Sequence, residues 1–316
     1  MRRLLLIIIA IISLWSCNKQ KTSKEINFIT SDIDLFWELY DSGDYSQENI
    51  LDNYLAKGTP GLFDYAIQKS LSTALTFTLN QEKFQRYYDE IRSNTDDLRS
   101  QTSRAEDAMV RLREIYPETD YFNVFMIVGA LTAGGRISDN GLIIAVELFT
   151  KNQNTDLSEL SDWQQTVIRE KDHLPSIIVH EFIHLQQKAL RERTISGTLL
   201  EQAILEGMAD YIAQYLLPDQ PFFNDHLEVF GNAREENIWR QFSSEMDKNF
   251  RDTEWLYTGS KTSRGYPADM GYYIGSKILE SFVEKVGDTQ SAISIMLDAT
   301  DYHQLFEMSG YADKFK

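Results

Sequence analysis

From Ser31 to about Tyr116 the apolar residues return at helical spacing, as in Leu35, Phe36, Leu39 and Tyr40, and again in Ile50, Leu51, Tyr54 and Leu55. Thr59-Pro60 has the form of an N-cap followed by proline at the first helical position, and it predicts a helix running through Phe63, Ile67 and Leu71. Ser103 and Glu106 fit a capping box ahead of Met109, Leu112 and Ile115, and Pro117 stands just past that helix. The composition then shifts. Tyr121 to Ala130 and Leu142 to Phe149 are rich in β-branched and aromatic residues and have strand length. The glycine-rich connector between them, Thr132 to Gly141, lacks the Gly-Lys-Ser/Thr ending of a phosphate-binding loop. Beyond residue 160 the helical pattern resumes, and Asp288 to Lys316 reads as two closing helices, one of them ended by Gly310. Helices, then a small sheet, then helices predict an α+β, predominantly helical fold rather than alternating βαβ units.

The first 17 residues stand outside that pattern. Arg2 and Arg3 precede an unbroken apolar run of nine residues, Leu4 to Ile12. A bilayer-spanning helix needs roughly 20 residues; this run has the length of a signal-peptide core instead. Leu14-Trp15-Ser16-Cys17 follows. A small residue before a cysteine at that place resembles the lipobox of bacterial lipoproteins. The resemblance implies that residues 1–17 form a lipoprotein signal peptide segment and that Cys17 carries the lipid that attaches the mature protein to a membrane. The plainer alternative is an ordinary signal peptide with Cys17 incidental. Residues 18–30, with Lys19, Lys21 and Lys24 and a polar character, read as a flexible tether. The expected location is therefore the bacterial cell envelope, facing the periplasm or the exterior.

Composition narrows the field further. The 316 residues are 42% hydrophobic and 25% charged, which is globular, and long enough for one large domain or two ordinary ones. One cysteine rules out an intramolecular disulfide framework and a cysteine-rich zinc site. The net charge of −17 argues against nucleic acid as a partner, because such a binder needs a basic surface.

Two segments carry candidate chemistry. His180-Glu181-Phe182-Ile183-His184 is an H-E-x-x-H motif on a predicted helix that opens near Pro175. Four residues overshoot one helical turn by only about 40°, so both imidazoles leave the same face, as two nitrogen ligands of one zinc ion require. Glu181 sits about 100° around the helix, placed to reach an attacking water without ligating. The plain alternative is two histidines on an amphipathic helix. Downstream, Thr198 and Glu201 form a capping box for a helix to Leu217, with Pro218 after it, and Leu205-Glu206-Gly207-Met208-Ala209-Asp210 lies within. Glu206 and Asp210 share a face. Gly207 would weaken a helix unless another backbone approaches there.

These segments together resemble the gluzincin clan of metallopeptidases, which includes thermolysin and aminopeptidase N. The resemblance implies Glu206 as third zinc ligand, Asp210 as the carboxylate orienting a zinc-bound histidine, and one Zn2+ per chain. It also implies that Leu142 to Phe149 is a sheet edge pairing with an extended peptide, the alternative being an ordinary central strand. His226, Tyr257, Arg264, Tyr266, Tyr272 and Tyr273 are candidate donors to a developing oxyanion. Gly271-Tyr272-Tyr273-Ile274-Gly275 is similar to the aminopeptidase segment whose tyrosine stands three residues before a glycine, which selects Tyr272. His173 and His303 read as surface or capping residues. With the Gly134-Gly135-x-Ile-Ser-Asp-Asn connector, the whole set is similar to an uncharacterised family of bacterial zinc-dependent proteases over roughly residues 120–310. The implied organisation is a helical portion over 31–118 and a zinc metallopeptidase-like domain over 119–316.

The expected activity is zinc-dependent hydrolysis of a peptide or protein substrate, with Glu181 as general base and acid. The rival expectation is an envelope lipoprotein that uses this fold for binding or assembly with little or no turnover. The presence of Glu181 weighs against it, because a scaffold has no need of the base.

Overall fold

Four strands form one mixed sheet in the order β1-β2-β4-β3: β1 (Asn27–Ile29), β2 (Asn123–Ile127), β3 (Gly135–Ser138) and β4 (Gly141–Ala145). The first three in that order run parallel, and β3 returns antiparallel along β4. The computed structural model describes residues 23, 25–95, 98–258 and 263–316, so Cys17 and the signal segment lie outside the described residues. The chain forms two compact units, each assembled from separate stretches, and the sheet belongs to the unit made of residues up to 106 and 120–178. The α+β, predominantly helical class is what the structure shows.

The helices of this unit are α1 (Ser31–Asp41), α2 (Gln47–Ile50), α3 (Pro60–Lys69), α4 (Leu71–Leu79) and α5 (Glu82–Thr95). They are joined by the start of α6 (Arg99–Ile115), by α7 (Asp162–Val167) and by the start of α8 (Leu174–Gln186). The Thr59 hydroxyl caps α3 by accepting from Leu62 N at 3.3 Å, with Pro60 in the first turn. Two local expectations change. Ser70 adopts a left-handed conformation (φ 49°), so Leu71 opens a new helix and the buried face of α3 is Gly61, Leu62 and Tyr65 rather than Phe63 and Ile67. Helix α6 begins at Arg99, which places Ser103 and Glu106 inside it instead of at its cap.

The strands are shorter than their apolar runs. Val146–Leu148 turns into a 3-10 segment, and β4 lies between β2 and β3, so it is interior and not the peptide-pairing edge implied for Leu142 to Phe149. The edge strands of the sheet are β1 and β3. Strand β1 occupies the last part of the stretch expected to be a tether, because it pairs in register with Asn123–Phe125. The loop after β2 is buried, and its backbone is satisfied by side chains. Tyr54, Tyr88 and Tyr65 hydroxyls donate to the carbonyls of Val128, Gly129 and Ala133, while the Glu147 carboxylate accepts from the Gly129 and Leu131 N–H groups.

The second unit comprises residues 107–119 and 179–316. It holds the ends of α6 and α8, then α9 (Lys188–Glu192), α10 (Leu199–Leu216), α11 (Asp225–Gly231) and α12 (Glu235–Ser243). Helices α13 (Met270–Val286), α14 (Thr289–Asp298) and α15 (Tyr302–Ser309) complete it, and Gly310 ends α15 in the left-handed conformation. Both halves of the Thr198–Glu201 capping box are formed at the start of α10. Helix α10 packs backbone to backbone on α13. A Cβ at Gly207 would overlap the Gly275–Ser276 backbone, and one at Gly275 would overlap the Ala203 carbonyl. That close approach accounts for the glycine beside Glu206. No helix among the described residues is long and apolar enough to cross a membrane.

Candidate metal centre

Helices α8 and α10 bring His180, His184 and Glu206 together within the second unit. The Nε2 atoms of the two histidines are 3.1 Å apart. Oε2 of Glu206 lies 3.4 Å from His180 Nε2 and 3.3 Å from His184 Nε2. Bonds of about 2.0–2.1 Å to a tetrahedral ion would set ligand atoms about 3.3 Å apart, so the three donors match the edges of such a site. All three residues are buried, with relative exposures of 5%, 1% and 1%.

The surrounding contacts decide which atoms are free to ligate. His180 Nδ1 faces Oδ1 of Asp210 at 2.7 Å. His184 Nδ1 is 2.8 Å from Oε1 of Gln187, whose amide orientation is set because its Nε2 donates to the Leu205 carbonyl at 2.7 Å. With Nδ1 of each ring turned to one of these oxygens, the Nε2 atoms are the ones that face each other and Glu206. On the carboxylate, Oε1 of Glu206 accepts from the Tyr257 hydroxyl at 2.5 Å, and Gln202 Nε2 in turn donates to that hydroxyl at 2.8 Å. Oε2 is thereby left toward the imidazoles. Two imidazole nitrogens and one carboxylate oxygen converge on one point. A divalent cation of zinc's preference for two nitrogens and one oxygen fits this donor set.

The electrostatics agree with a place for positive charge. Burial alone would depress the His180 pKa, but the carboxylates of Asp210 and Glu206 outweigh it and hold it at about 10. Burial works against ionised Glu206 as well, yet the two histidines beside it keep its carboxyl well below the usual range. Asp210 is shifted upward by burial, opposed by His180 and by Asn224, whose Nδ2 donates to Oδ2 at 2.9 Å. Glu181 is next to His180 on α8, and its Oε2 is buried without a hydrogen-bond partner among the described residues.

The six oxyanion candidates separate clearly. The Tyr272 ring stacks on His180 with centroids 6.1 Å apart, and burial with the Glu206 charge pushes its phenol pKa well up. Tyr257 is committed to Glu206. Arg264 pairs with Glu245 at 2.7 Å, Tyr266 accepts from Gln241 Nε2 at 2.5 Å, and the Tyr273 hydroxyl is 3.3 Å from Asn232 Oδ1. His226 is exposed on α11. Of the group, Tyr257 and Tyr272 stand at the centre, their rings edge to face at 6.3 Å. Gln187, Asn224 and Phe223, whose ring meets His180 edge-on at 5.3 Å, belong to the site without having been singled out from the sequence. The spacing of Gln187, three residues after His184, was the one available signal; the other two arrive from the loop after α10.

Residues 16–313 match the family profile described as "Gliding motility protein GldB". No curated protein and no solved structure matches the chain.

Proposed function

The chain belongs to the gliding motility protein GldB family of lipoproteins, and we propose that it is an envelope-anchored, zinc-dependent peptidase. The observation that carries this reading is the convergence of His180 Nε2, His184 Nε2 and Glu206 Oε2 at 3.1–3.4 Å, each held from behind by a separate partner. The resemblance of His180-Glu181-x-x-His184 and Glu206 to gluzincins assigns them to one Zn2+. Bound there, the ion would polarise a peptide carbonyl and acidify water. Glu181 takes the proton of the attacking water and passes it to the leaving amine; its free buried oxygen supports that role. Asp210 holds His180 in its ligating tautomer, and Gln187 does the same for His184. Tyr272, whose ring lies against His180, donates to the oxyanion in this reading. Cys17 holds the protein at the membrane through its lipid, in keeping with the lipoprotein family.

A second reading has its own support. The near-complete burial of the three donors also suits a structural metal in a protein that binds or assembles without turnover. Cleavage of a peptide library by the wild type and by Glu181→Gln separates the two. The peptidase reading expects cleavage by the wild type alone, with the metal kept in both. Equal cleavage by both would overturn the role of Glu181, and none by either, with metal bound, would favour the structural reading.

A further inference from the structure

Four of the nine large apolar side chains that the described residues leave exposed fall in one 27-residue stretch: Leu51, Phe63, Ile67 and Phe77. On α3, Pro60, Phe63 and Ile67 follow an i, i+3, i+7 spacing that puts them on one face. That face is turned away from the buried Gly61, Leu62 and Tyr65, and Phe63 and Ile67 are 57% and 67% exposed. The stretch of chain around this helix carries little charge. Between residues 58 and 81 only Asp64 and Lys69 are charged, in a chain whose net charge is −17. Neither is fully exposed, and Oδ2 of Asp64 accepts from Asn140 Nδ2 at 2.7 Å. Isolated exposed apolar residues are ordinary; an uncharged apolar helix face on an acidic protein marks a surface meant to be covered.

We propose that the outer face of α3 docks on the lipid bilayer to which Cys17 is attached, with Phe63 and Ile67 entering its interface. The inference rests on Cys17 carrying the lipid. The connection is short: ten peptide steps separate Cys17 from Asn27, a reach of at most about 35 Å. Strand β1 places Ile29 beside Phe125, and the Phe125 ring packs against Gly61 of α3. At about 3.3 Å per residue and 4.8 Å between strands, α3 begins within roughly 15 Å of the tether's entry. A lipid on Cys17 therefore keeps this helix within about 50 Å of the membrane, near enough to dock on it. With Lys69 the one basic residue between 58 and 81, the face suits a zwitterionic interface entered by apolar side chains rather than an anionic surface held by charge.

Because Cys17 is the one cysteine, a lipidated chain with Phe63→Cys or Ile67→Cys carries a single reactive thiol. The test measures labelling of the full lipoprotein, on phosphatidylcholine vesicles, by a membrane-impermeant maleimide. Val229→Cys, at a site 80% exposed in the other unit, is the reference. The expected result is protection of both α3 thiols on the order of tenfold, the scale that burying one large apolar side chain supports. The reference thiol stays reactive. In vesicle-free protein also carrying Cys17→Ser, the α3 thiols react freely. Equal labelling at all three positions on vesicles would overturn the proposal. So would protection that persists without vesicles, which would mean that a second copy or another protein covers the face. Intact mass of the same sample reads the lipid separately: an unlipidated Cys17 overturns the anchor and this placement with it, whereas a lipidated chain with unprotected α3 thiols overturns the docking alone.

Discussion

Tyr257 and Glu206 share a 2.5 Å hydrogen bond that occupies one carboxylate oxygen and leaves the other beside the two histidines. Tyr257 reaches Glu206 from a left-handed backbone conformation (φ 57°), which costs a bulky residue on the order of 1–2 kcal/mol. The surroundings hold it there: Thr258 N donates to Asp269 Oδ1 at 3.3 Å, and the Gly271 N–H donates to the Trp255 carbonyl at 2.9 Å. Burial and the adjacent carboxylate push the Tyr257 phenol pKa well up, so it stays a donor.

Tyr257→Phe should therefore weaken zinc binding by about 10–100-fold, the usual effect of losing a partner that orients a ligand. The ring contacts to Phe250 and Tyr272 survive the change, so the fold should persist. Competition with a chromogenic chelator reads the affinity and circular dichroism reads the fold. Unchanged affinity would show that Glu206 needs no such support.

Gln187 joins the His184 ring to the backbone of α10. Gln187→Leu leaves the buried His184 Nδ1 without its oxygen partner and should cost about 1–3 kcal/mol. Urea unfolding in the presence of a chelator isolates this loss from any effect on metal binding. A variant as stable as the wild type would mean that His184 Nδ1 finds another partner.

The glycine contact between α10 and α13 admits no side chain. Gly275→Ala would drive a methyl group into the Ala203 carbonyl and force the two helices apart. Overpacking of this kind costs about 1–3 kcal/mol, and more where backbone must move. The displaced α13 would also carry Tyr272 away from His180. The expected signature is a lower melting temperature together with a changed near-ultraviolet aromatic spectrum.

Glu147, in the sheet-bearing unit, gives a pH dependence independent of any metal. Burial raises its pKa to about 7, against the Gly129 and Leu131 N–H groups that favour its charged form. A carboxyl raised in the folded state makes no difference at low pH, where both states are protonated. Its contribution to stability then falls as pH climbs from the unfolded value near 4.5 through about 7, and is level above that. The loss amounts to about 3 kcal/mol at most. Denaturant titrations from pH 4 to pH 8 should show the stability of the wild type falling relative to that of Glu147→Gln as pH rises, whatever the variant's absolute stability. Parallel curves would contradict the shift.

Much of the centre could be seen along the chain because helical period alone decides it. His180 and His184 four apart, and Glu206 and Asp210 four apart, each share a face regardless of tertiary context, and the Thr198–Glu201 box marks its helix from three residues. Gly207 also announced a close neighbour, though not that the neighbour was Gly275. What failed was decided by packing at longer range. Phe63 and Ile67 have the spacing of a core face, yet the left-handed Ser70 resets the helix and Leu62 and Tyr65 turn inward instead. The interior position of β4 depends on β3 folding back, which no local pattern states. The Tyr257–Glu206 bond joins residues 51 positions apart through a loop, beyond the reach of periodicity.

The metal itself is the most direct test. Full chain purified without chelator, and the variants Glu181→Gln, His184→Ala and Glu206→Ala, would be assayed for bound zinc by elemental analysis alongside peptide cleavage. The prediction is about one zinc per chain in the wild type and in Glu181→Gln, little in the two ligand variants, and cleavage by the wild type alone. Wild-type protein that takes up no zinc when the metal is supplied, while remaining folded, would contradict the assignment of His180, His184 and Glu206.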